Sequence, residues 1–297
     1  MRIQLLGTGS AEGWPGLFCD CSVCCRSRQL RGKNLRSRTS ALIDGALKID
    51  LPPDTHHHCL THGLDMSSVK HLLFTHGHDD HCAGYELQYL SWMFVPHTIE
   101  KPLEIVAPRT TVKKICGQLG EEPLPLSLQA LEPWITVPFG RWDITPINAN
   151  HDPKQICFNY LIKSGDSTLL YASDTGWYGE ATWEFLRGRH LDGAVIECSK
   201  GPVEGGYTGH LSANQVIDMR GWLVANGVMT ESAPVVTTHL SHLGGLLHDE
   251  LEALFNPHGI QVGYDGMEFE IYGQESGSRN SEFGNRNKST LVTETAI

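Results

Sequence analysis

The sequence predicts one large domain that combines β-strands with α-helices, of the α/β or sandwich type. Of its 297 residues, 40% are hydrophobic, which suffices for a sizeable core and excludes wholesale disorder. Short apolar runs bounded by turn signals recur along the chain, and longer stretches with helical character lie between them. No apolar run approaches the roughly 18 residues of a membrane span, so no transmembrane helix is expected.

In the N-terminal half, apolar runs predict a strand over 2–7, a hairpin across Asp44-Gly45, and strands over 69–75 and 103–107. Helical patterns are expected over 84–94 and 110–119. Two segments lack a periodic pattern and are predicted to be irregular: 12–38, which is rich in glycine, cysteine and arginine, and the proline-rich stretch 121–133.

In the C-terminal half, four apolar runs predict strands over 134–138, 142–147, 158–163 and 168–173, and two more predict strands over 193–197 and 235–238. Predicted helices cover 179–187, 212–225, where Ser212 is the expected N-cap, and 246–255. A last hairpin is expected over 260–272. The polar residues 273–297 are predicted to form a disordered tail that follows one domain over 1–272.

The chain carries 23 basic and 34 acidic residues, a net charge of −11. This balance gives no broad electropositive footprint, so nucleic-acid and membrane partners are not expected. One basic run, Arg26–Arg38, could meet phosphates, but a solvated loop is the simpler interpretation. Residues 1–11 lack the features of a secretory signal, which predicts a cytoplasmic protein.

Nine cysteines are unevenly distributed, with Cys19, Cys21, Cys24 and Cys25 within seven residues. In a chain without an expected signal peptide, such a cluster favours metal ligation over disulfides, with redox-active thiols as the alternative. C-x-C-x-x-C supplies three thiolates, and a tetrahedral zinc ion needs a fourth ligand.

The most specific motif is H-x-H-x-D-H, residues 76–81, directly after an apolar strand. Imidazoles and a carboxylate suit a borderline cation such as zinc or manganese. Further candidates follow the ends of other predicted strands: His151, Asp174, His210 and His239. Side chains at strand ends often converge from distant parts of a chain, so these residues are expected to complete one site.

These motifs, with Leu6-Gly7-Thr8-Gly9-Ser10 and the cysteine cluster, resemble the metallo-β-lactamase superfamily. Within it the chain is most similar to the PhnP-type phosphodiesterases of the carbon–phosphorus lyase pathway, and it is also similar to ribonuclease Z. The resemblance implies an α+β fold, a four-layer αββα sandwich. It also implies a small-molecule phosphodiester as the substrate, such as phosphoribosyl cyclic phosphate of phosphonate metabolism, and a possible homodimer.

Two divalent ions, zinc or manganese, are implied as active-site cofactors, with a hydroxide between them as the nucleophile. One ion would be held by His76, His78 and His151, the other by Asp80, His81 and His239, and Asp174 would bridge them. Asp80 and His210 are implied as catalytic, for proton handling and for phosphate binding or leaving-group protonation. The resemblance also implies a structural zinc ion, and its ligands would be Cys19, Cys21, Cys24 and His242.

Alternative functions are another hydrolase of the same fold (a ribonuclease Z, a thioesterase or a lactonase) and a non-hydrolytic relative of the pyrroloquinoline quinone accessory protein. The short span of 36 positions from Asp174 to His210 leaves no room for a long tRNA-binding arm. His56-His57-His58 is expected in a loop outside the site. Trp177 and Tyr178 could border the pocket or belong to the core, and Asp50 matches a position that orients a ligand loop.

Overall fold

The computed structural model describes residues 1–97, 99–121 and 123–273. Their strands, in chain order, are β1 (Arg2–Gly7), β2 (Ser40–Ile43), β3 (Leu47–Ile49), β4 (His71–Leu73), β5 (Leu103–Pro108), β6 (Leu126–Leu131), β7 (Val137–Phe139), β8 (Trp142–Asn148), β9 (Phe158–Ser164), β10 (Ser167–Ala172), β11 (Gly193–Glu197), β12 (Val235–Thr238), β13 (Ile260–Val262) and β14 (Glu268–Glu270). The α-helices are α1 (Ser22–Leu30), α2 (Thr55–His62), α3 (Arg109–Leu119), α4 (Glu180–Leu186), α5 (Ala213–Ala225) and α6 (His248–Phe255).

Two mixed sheets of seven strands each organise the domain. The first has the order β14-β1-β2-β3-β4-β5-β6 and the second the order β13-β12-β11-β10-β9-β8-β7. Counted from β14 in the first sheet and from β7 in the second, three antiparallel pairs are followed by three parallel pairs. The two halves of the chain therefore repeat one topology, although their sequences show no clear repeat.

The main core lies between the sheets. Alternate side chains of β1, such as Ile3 and Leu5, meet Tyr160 and Val236 of the second sheet in one buried cluster. Fully burying an aliphatic side chain of this size contributes about 1.5–3 kcal/mol. Strand β11 is buried along its whole length, as is typical of a parallel strand with both faces covered.

Helices cover the outer face of each sheet and complete the four layers. Helices α5 and α6 pack against the outer face of the second sheet through Val216, Met219 and Leu251. On the first sheet, α3 packs through Ile115, together with a 3₁₀ helix at Gly84–Leu90. The α+β sandwich with helices on both outer faces confirms the predicted fold class.

Several predicted elements differ from those observed. The predicted helix over 84–94 is a 3₁₀ helix at Gly84–Leu90. The segment 12–38 contains α1, which buries few apolar side chains and so shows no periodic stripe; its first turn is capped by the Cys21 thiol. The proline-rich 121–133 contains the edge strand β6, which pairs on one side only and begins after the prolines. The predicted strand 134–138 is observed as β7, at Val137–Phe139.

The triple histidine was expected in a loop but lies in α2, where His58 is fully buried and the ring of its neighbour His57 is exposed. The Nε2 atom of His58 lies 2.8 Å from Ser37 Oγ, so His58 belongs to the packing of α2. None of the described helices has the length and apolar character needed to cross a membrane. Residues 274–297 of the predicted tail lie outside the described residues.

Candidate metal centre

The predicted ligands meet at one edge of the two sheets. His76 and His78 follow β4, His151 follows β8, Asp174 follows β10 and His239 follows β12. Two of these strand-end residues have left-handed backbones, with φ of 47° at Asp174 and 51° at His239. This region is uncommon for residues other than glycine and is often found at functional sites.

One group of potential ligands consists of His76, His78, His151 and Asp174, whose ligand atoms lie within 4.8 Å of one another. His78 Nδ1 lies 2.9 Å from His76 Nε2 and 3.1 Å from His151 Nε2. Asp174 Oδ2 lies 3.4 Å from His151 Nε2 and 3.7 Å from His76 Nε2. Three imidazole nitrogens and a carboxylate oxygen thus point to a common centre.

A second group consists of Asp80, His81, Asp174 and His239, again within 4.8 Å. Asp174 Oδ1 lies 3.2 Å from His81 Nε2 and 3.1 Å from His239 Nε2. Asp80 Oδ2 lies 3.2 Å and 3.5 Å from the same two nitrogens. Each carboxylate oxygen of Asp174 therefore faces one of the two groups, as a bridging ligand would.

The buried nitrogens of this centre fit divalent cations. His81 Nε2 and His239 Nε2 are inaccessible to solvent, and neither forms a hydrogen bond of normal geometry with any residue that the structure describes. Leaving such polar atoms unsatisfied costs about 1–3 kcal/mol each. Both nitrogens face Asp174, so a cation bound between them would satisfy both atoms and offset the buried carboxylate charge.

The opposite ring nitrogen of each histidine is held by a neighbour, which fixes its orientation. These contacts are His76 Nδ1 to Thr75 Oγ1 at 3.0 Å, His78 Nε2 to Asp152 Oδ2 at 3.1 Å, His81 Nδ1 to Asp50 Oδ2 at 2.7 Å, His151 Nδ1 to the Gly209 carbonyl at 2.9 Å and His239 Nδ1 to Ser199 Oγ at 2.7 Å. Such contacts align imidazoles before a metal binds and tune their basicity.

Asp50 connects two parts of this shell. Besides facing His81, its carboxylate accepts hydrogen bonds from the backbone N–H and the hydroxyl of Thr75, at 2.8 Å and 2.9 Å. Asp50 is fully buried and so holds the start of the 76–81 loop against the sheet.

Burial and neighbouring charges shift the pKa values of the residues in the centre in different directions. Burial, followed by the neighbouring His81, lowers the pKa of His76 well below its usual range, which favours the neutral ligand. Burial would raise the pKa of Asp174, but His239 and His81 hold it well below its usual range. Conversely, burial would lower the pKa of His81, yet Asp174 and Asp80 raise it well above normal. A metal bound by His81 would therefore displace a proton.

His210 lies at the edge of the second group, with its ring stacked 5.5 Å from that of His239. Its Nδ1 is 2.6 Å from Oε1 of the fully buried Glu197. Burial would lower the pKa of His210, but the charge of Glu197 outweighs it and raises this pKa to about 9. His210 is therefore a cation at neutral pH, with Nε2 free of this contact.

Glu197 was not singled out in the sequence. Its other carboxylate oxygen accepts hydrogen bonds from the N–H and Oγ of Ser199, at 2.7 Å and 2.9 Å. The only available signal was its position at the end of an apolar strand, shared with His239 and Asp174.

The cysteine cluster forms a separate group with His242, and all four ligand atoms lie within 4.8 Å. His242 Nδ1 is 3.8 Å from Cys19 Sγ and 3.6 Å from Cys21 Sγ. All nine cysteines are free. Hydrogen bonding from the Cys24 backbone, the main lowering effect, brings the pKa of Cys21 to about 6, whereas burial raises that of Cys24 to about 12. The exposed Cys25 is outside this group.

A family model described as the beta-lactamase superfamily domain matches residues 42–223, more than half of the chain. The chain belongs to the beta-lactamase superfamily. Membership in this superfamily and the clustered histidines and aspartates together support metal binding and hydrolase activity.

The most similar proteins carry different names. An octanoyltransferase from Porphyromonas gingivalis (strain ATCC BAA-308 / W83) is 30% identical over 95% of this chain and 54% of its own length. The chain therefore spans about half of that relative, whose activity belongs to a longer protein.

Solved structures share the fold of this superfamily member. A diphosphatase of the PhnP family has a TM-score of 0.71 at 22% identity, over 92% of this chain and 98% of that chain. The Zn²⁺-bound PqqB of Methylobacterium extorquens has a TM-score of 0.70 at 16% identity, over 91% of this chain and 100% of that chain. The short form of human tRNase Z has a TM-score of 0.62 at 14% identity, over 92% of this chain and 100% of that chain. The predicted metallo-β-lactamase fold is confirmed.

Above the centre lies a cleft of about 640 Å³. His78, Asp80, Asp174 and His210 line its floor, and the segments 10–12, 199–207 and 241–243 contribute to its walls. Trp177 instead lines a neighbouring depression of about 340 Å³.

Two other features noted in the sequence, Tyr178 and the basic run, make contacts within the fold. Tyr178 is buried in the core, where its hydroxyl donates to Asn159 Oδ1. Within the basic run, Arg26, Lys33 and Arg38 pair with carboxylates. Much of the positive charge of this run is therefore already balanced.

Proposed function

We propose that this chain is a metal-dependent phosphodiesterase that hydrolyses a small or cyclic phosphodiester. The observation that carries the proposal is the placement of His210, a histidine charged at neutral pH, beside two ligand groups that share Asp174. A pair of cation sites and an adjacent proton donor are the groups that displacement at phosphorus requires.

One ion would be held by His76, His78 and His151, the other by Asp80, His81 and His239, with Asp174 shared between them. When bound, zinc or manganese ions at these positions would supply Lewis acidity toward phosphoryl oxygens and hydroxide near neutral pH.

The protein's own groups would complete the reaction. The oxygen of water forms a bond to phosphorus, and the ester P–O bond on the opposite side breaks. His210 donates the proton that the leaving alkoxide needs, and Glu197 stabilises the imidazolium before transfer. Asp80, 11% exposed and facing the cleft, is placed to handle the proton released from water.

The third metal position would be structural. Three thiolates and the His242 nitrogen form a closed ligand set of the type that zinc prefers. Zinc there would join the loop before α1 to the segment after β12. These two segments also form part of the cleft wall, where Ser241 Oγ donates to the Glu12 carboxylate.

The proposal is tested by hydrolysis of bis(p-nitrophenyl) phosphate with zinc- or manganese-loaded protein. Asp174→Ala is expected to abolish turnover because both ligand groups lose their shared member. His210→Ala is expected to reduce kcat by about 10²–10⁴-fold, the usual contribution of a general acid. His57→Ala, on the exposed face of α2, serves as the matched histidine control and is expected to retain full activity.

Metal content is measured on each sample by plasma mass spectrometry. About three ions per chain are expected, two in the groups that share Asp174 and one in the group of Cys19, Cys21, Cys24 and His242. Protein that holds two active-site ions but does not hydrolyse the phosphodiester would overturn the proposal. About one ion per chain would favour a non-hydrolytic relative.

A second candidate is hydrolysis of an acyl thioester, supported by the similarity to a protein named octanoyltransferase. The exposed Val203 and Leu243 give the cleft rim an apolar character that could contact an acyl chain. Release of free thiol from octanoyl coenzyme A, measured with a thiol reagent in parallel with the phosphodiester assay, separates the two activities.

A further inference from the structure

His78 is the least enclosed of the seven candidate ligands of the two-ion centre. Its side chain is 38% exposed, whereas the side chains of the other six are at most 11% exposed. Packing therefore contributes little to the orientation of this ring, and polar contacts have to fix it instead. On its outer side, His78 Nε2 lies 3.1 Å from Asp152 Oδ2. The orientation of His78 thus depends on Asp152.

Asp152 is itself held by the residues that follow it. Its Oδ1 accepts a hydrogen bond from the Lys154 N–H at 2.9 Å, and its Oδ2 accepts one from Gln155 Nε2 at 3.0 Å. The Gln155 N–H also donates to the Asp152 carbonyl, at 3.3 Å. The carboxylate that faces His78 is therefore fixed by a turn that begins directly after His151.

The other end of the Gln155 amide contacts the loop that carries His76 and His78. Gln155 Oε1 accepts a hydrogen bond from the Gly77 N–H at 2.9 Å, and Lys114 Nζ donates to the Gly77 carbonyl at 2.7 Å. Gly77 leaves room for this approach, because a Cβ at its position would lie 3.0 Å from Gln155 Oε1. Both backbone groups of the residue between the two histidines are thus held by side chains.

The amide of Gln155 matches both of its partners. A backbone N–H can only donate and an ionised carboxylate can only accept, so this position requires an acceptor and a donor on one side chain. The contacts join the segment after β4 to the segment after β8, and these two segments supply the three histidines of the first ligand group. In the second group, His81 and His239 are oriented by Asp50 and Ser199 instead.

We propose that Gln155 is a positioning residue that sets the affinity of the first ligand group for its ion. This inference rests on the two-ion centre of the proposed function. Through Asp152 the side chain orients the His78 ring, and through Gly77 it holds the loop between two ligands. Gln155 is not among the described residues that line the cleft, so no contact with substrate is expected. Loss of its amide would weaken the binding of one ion and leave the other ions in place.

The test counts the zinc that remains bound when zinc-loaded protein is dialysed against a series of free zinc concentrations set by a chelator buffer. Gln155→Met keeps the length of the side chain but forms neither hydrogen bond. One ion per chain is expected to dissociate from this variant at a free zinc concentration about 10–100-fold higher than from wild-type protein, the usual effect of losing a contact that orients a ligand. The other two ions should dissociate as in wild-type protein. Gln129→Met, at an exposed glutamine on β6, is the matched control and should leave all three ions unchanged.

The His78→Ala variant shows whether Gln155 acts through the first group. His78→Ala removes a ligand of that group and is expected to weaken its ion without any change at position 155. Adding Gln155→Met should then change the dissociation of the remaining ions by less than about twofold, because the group on which Gln155 acts is already incomplete. A general loosening of the fold would instead weaken all ions in both backgrounds.

Two results would overturn the role of Gln155: a zinc dissociation curve of Gln155→Met that matches the wild-type curve, or an equal shift for all three ions. Failure of the proposed function gives a different result. Wild-type protein with both active-site ions that does not hydrolyse bis(p-nitrophenyl) phosphate would reject the phosphodiesterase, while a shift confined to one ion in Gln155→Met would keep the inference. Hydrolysis without that shift would reject the inference and keep the function. About one ion per chain in wild-type protein would reject both.

Discussion

Replacing Glu197 by glutamine isolates the charge that keeps His210 protonated. The two side chains are 2.6 Å apart, Glu197 is fully buried and the His210 side chain is 21% exposed. Glutamine preserves the shape of the side chain and can still accept a hydrogen bond from Ser199. The substitution therefore removes a charge without opening a cavity.

The expected magnitude follows from the raised pKa. In the wild-type protein the pKa of His210 is raised from 6.5 to about 9. Without the neighbouring carboxylate the pKa of His210 is expected to fall toward its ordinary 6.5 or below, because burial, the largest effect on this ring, lowers it. A fall of about two pH units or more corresponds to about 2.7 kcal/mol or more in favour of the neutral ring. A raised pKa means that the ion pair stabilises the folded state fully below pH 6.5 and loses this effect as the pH rises through about 9.

The direct assay is an NMR titration of metal-free protein labelled at histidine, with the His210 signal assigned from the His210→Ala variant. Steady-state kinetics of the metal-loaded protein are then measured from pH 6 to pH 10. At pH 8.5 the Glu197→Gln variant is expected to lose at least about tenfold in kcat, because a ring with a pKa near or below its ordinary 6.5 is then almost entirely neutral. At pH 6 the loss in kcat should be clearly smaller than at pH 8.5, because a larger fraction of His210 is protonated in the variant at the lower pH.

Glu204→Gln is the control. Glu204 lies on the same loop, but its carboxylate accepts hydrogen bonds from Ser212 and Asn214 and does not contact His210. Its pH profile should match that of the wild-type protein. A Glu197→Gln profile that is lowered by the same factor at every pH, or a His210 pKa that does not change, would refute the assigned role of the ion pair.

Three further predictions, made with four substitutions, test other parts of the structure. Asp50→Asn removes the charge that orients His81 and should weaken metal binding by about 10–100-fold in a chelator competition. Cys24→Ser should reduce the zinc content by one ion per chain and lower the Tm, whereas Cys25→Ser should change neither. Gly176→Ala would place a Cβ 1.7 Å from a carbonyl oxygen of the facing loop, so a loss of about 3 kcal/mol or more is expected in urea unfolding.

The strands were predictable where an apolar run has clear ends. Strand β11 is an example, since all its residues are buried between a helical layer and the opposite sheet. Two elements were missed for physical reasons. Edge strand β6 is half exposed and follows prolines, and α1 is held by its capping contact and the cysteine cluster instead of an apolar stripe.

Within the centre, the residues that were predictable are those whose side-chain type is rare and chemically specific. Histidines at positions 76, 78 and 81 stand out because their spacing is unusual, and strand ends indicated His151 and Asp174. Glu197 could not be recognised because it is one of 34 acidic residues and its role depends on a contact with a side chain 13 positions later. The partner of His151 is a backbone carbonyl, which no sequence pattern can reveal.

The distinction between the chemically specific ligand residues and the other side chains around them also indicates where substrate selectivity lies. Proteins with one shared fold carry the names diphosphatase, PqqB and tRNase Z, so the fold itself cannot determine the substrate. In the proposed function, the ligand groups at the base of the cleft would hold ions, and this role would leave their geometry little freedom for change. The cleft wall from Lys200 to Tyr207 is free of that constraint, yet it is anchored at Ser199 and at His210. A change of side chain on this wall would alter what binds without disturbing the centre.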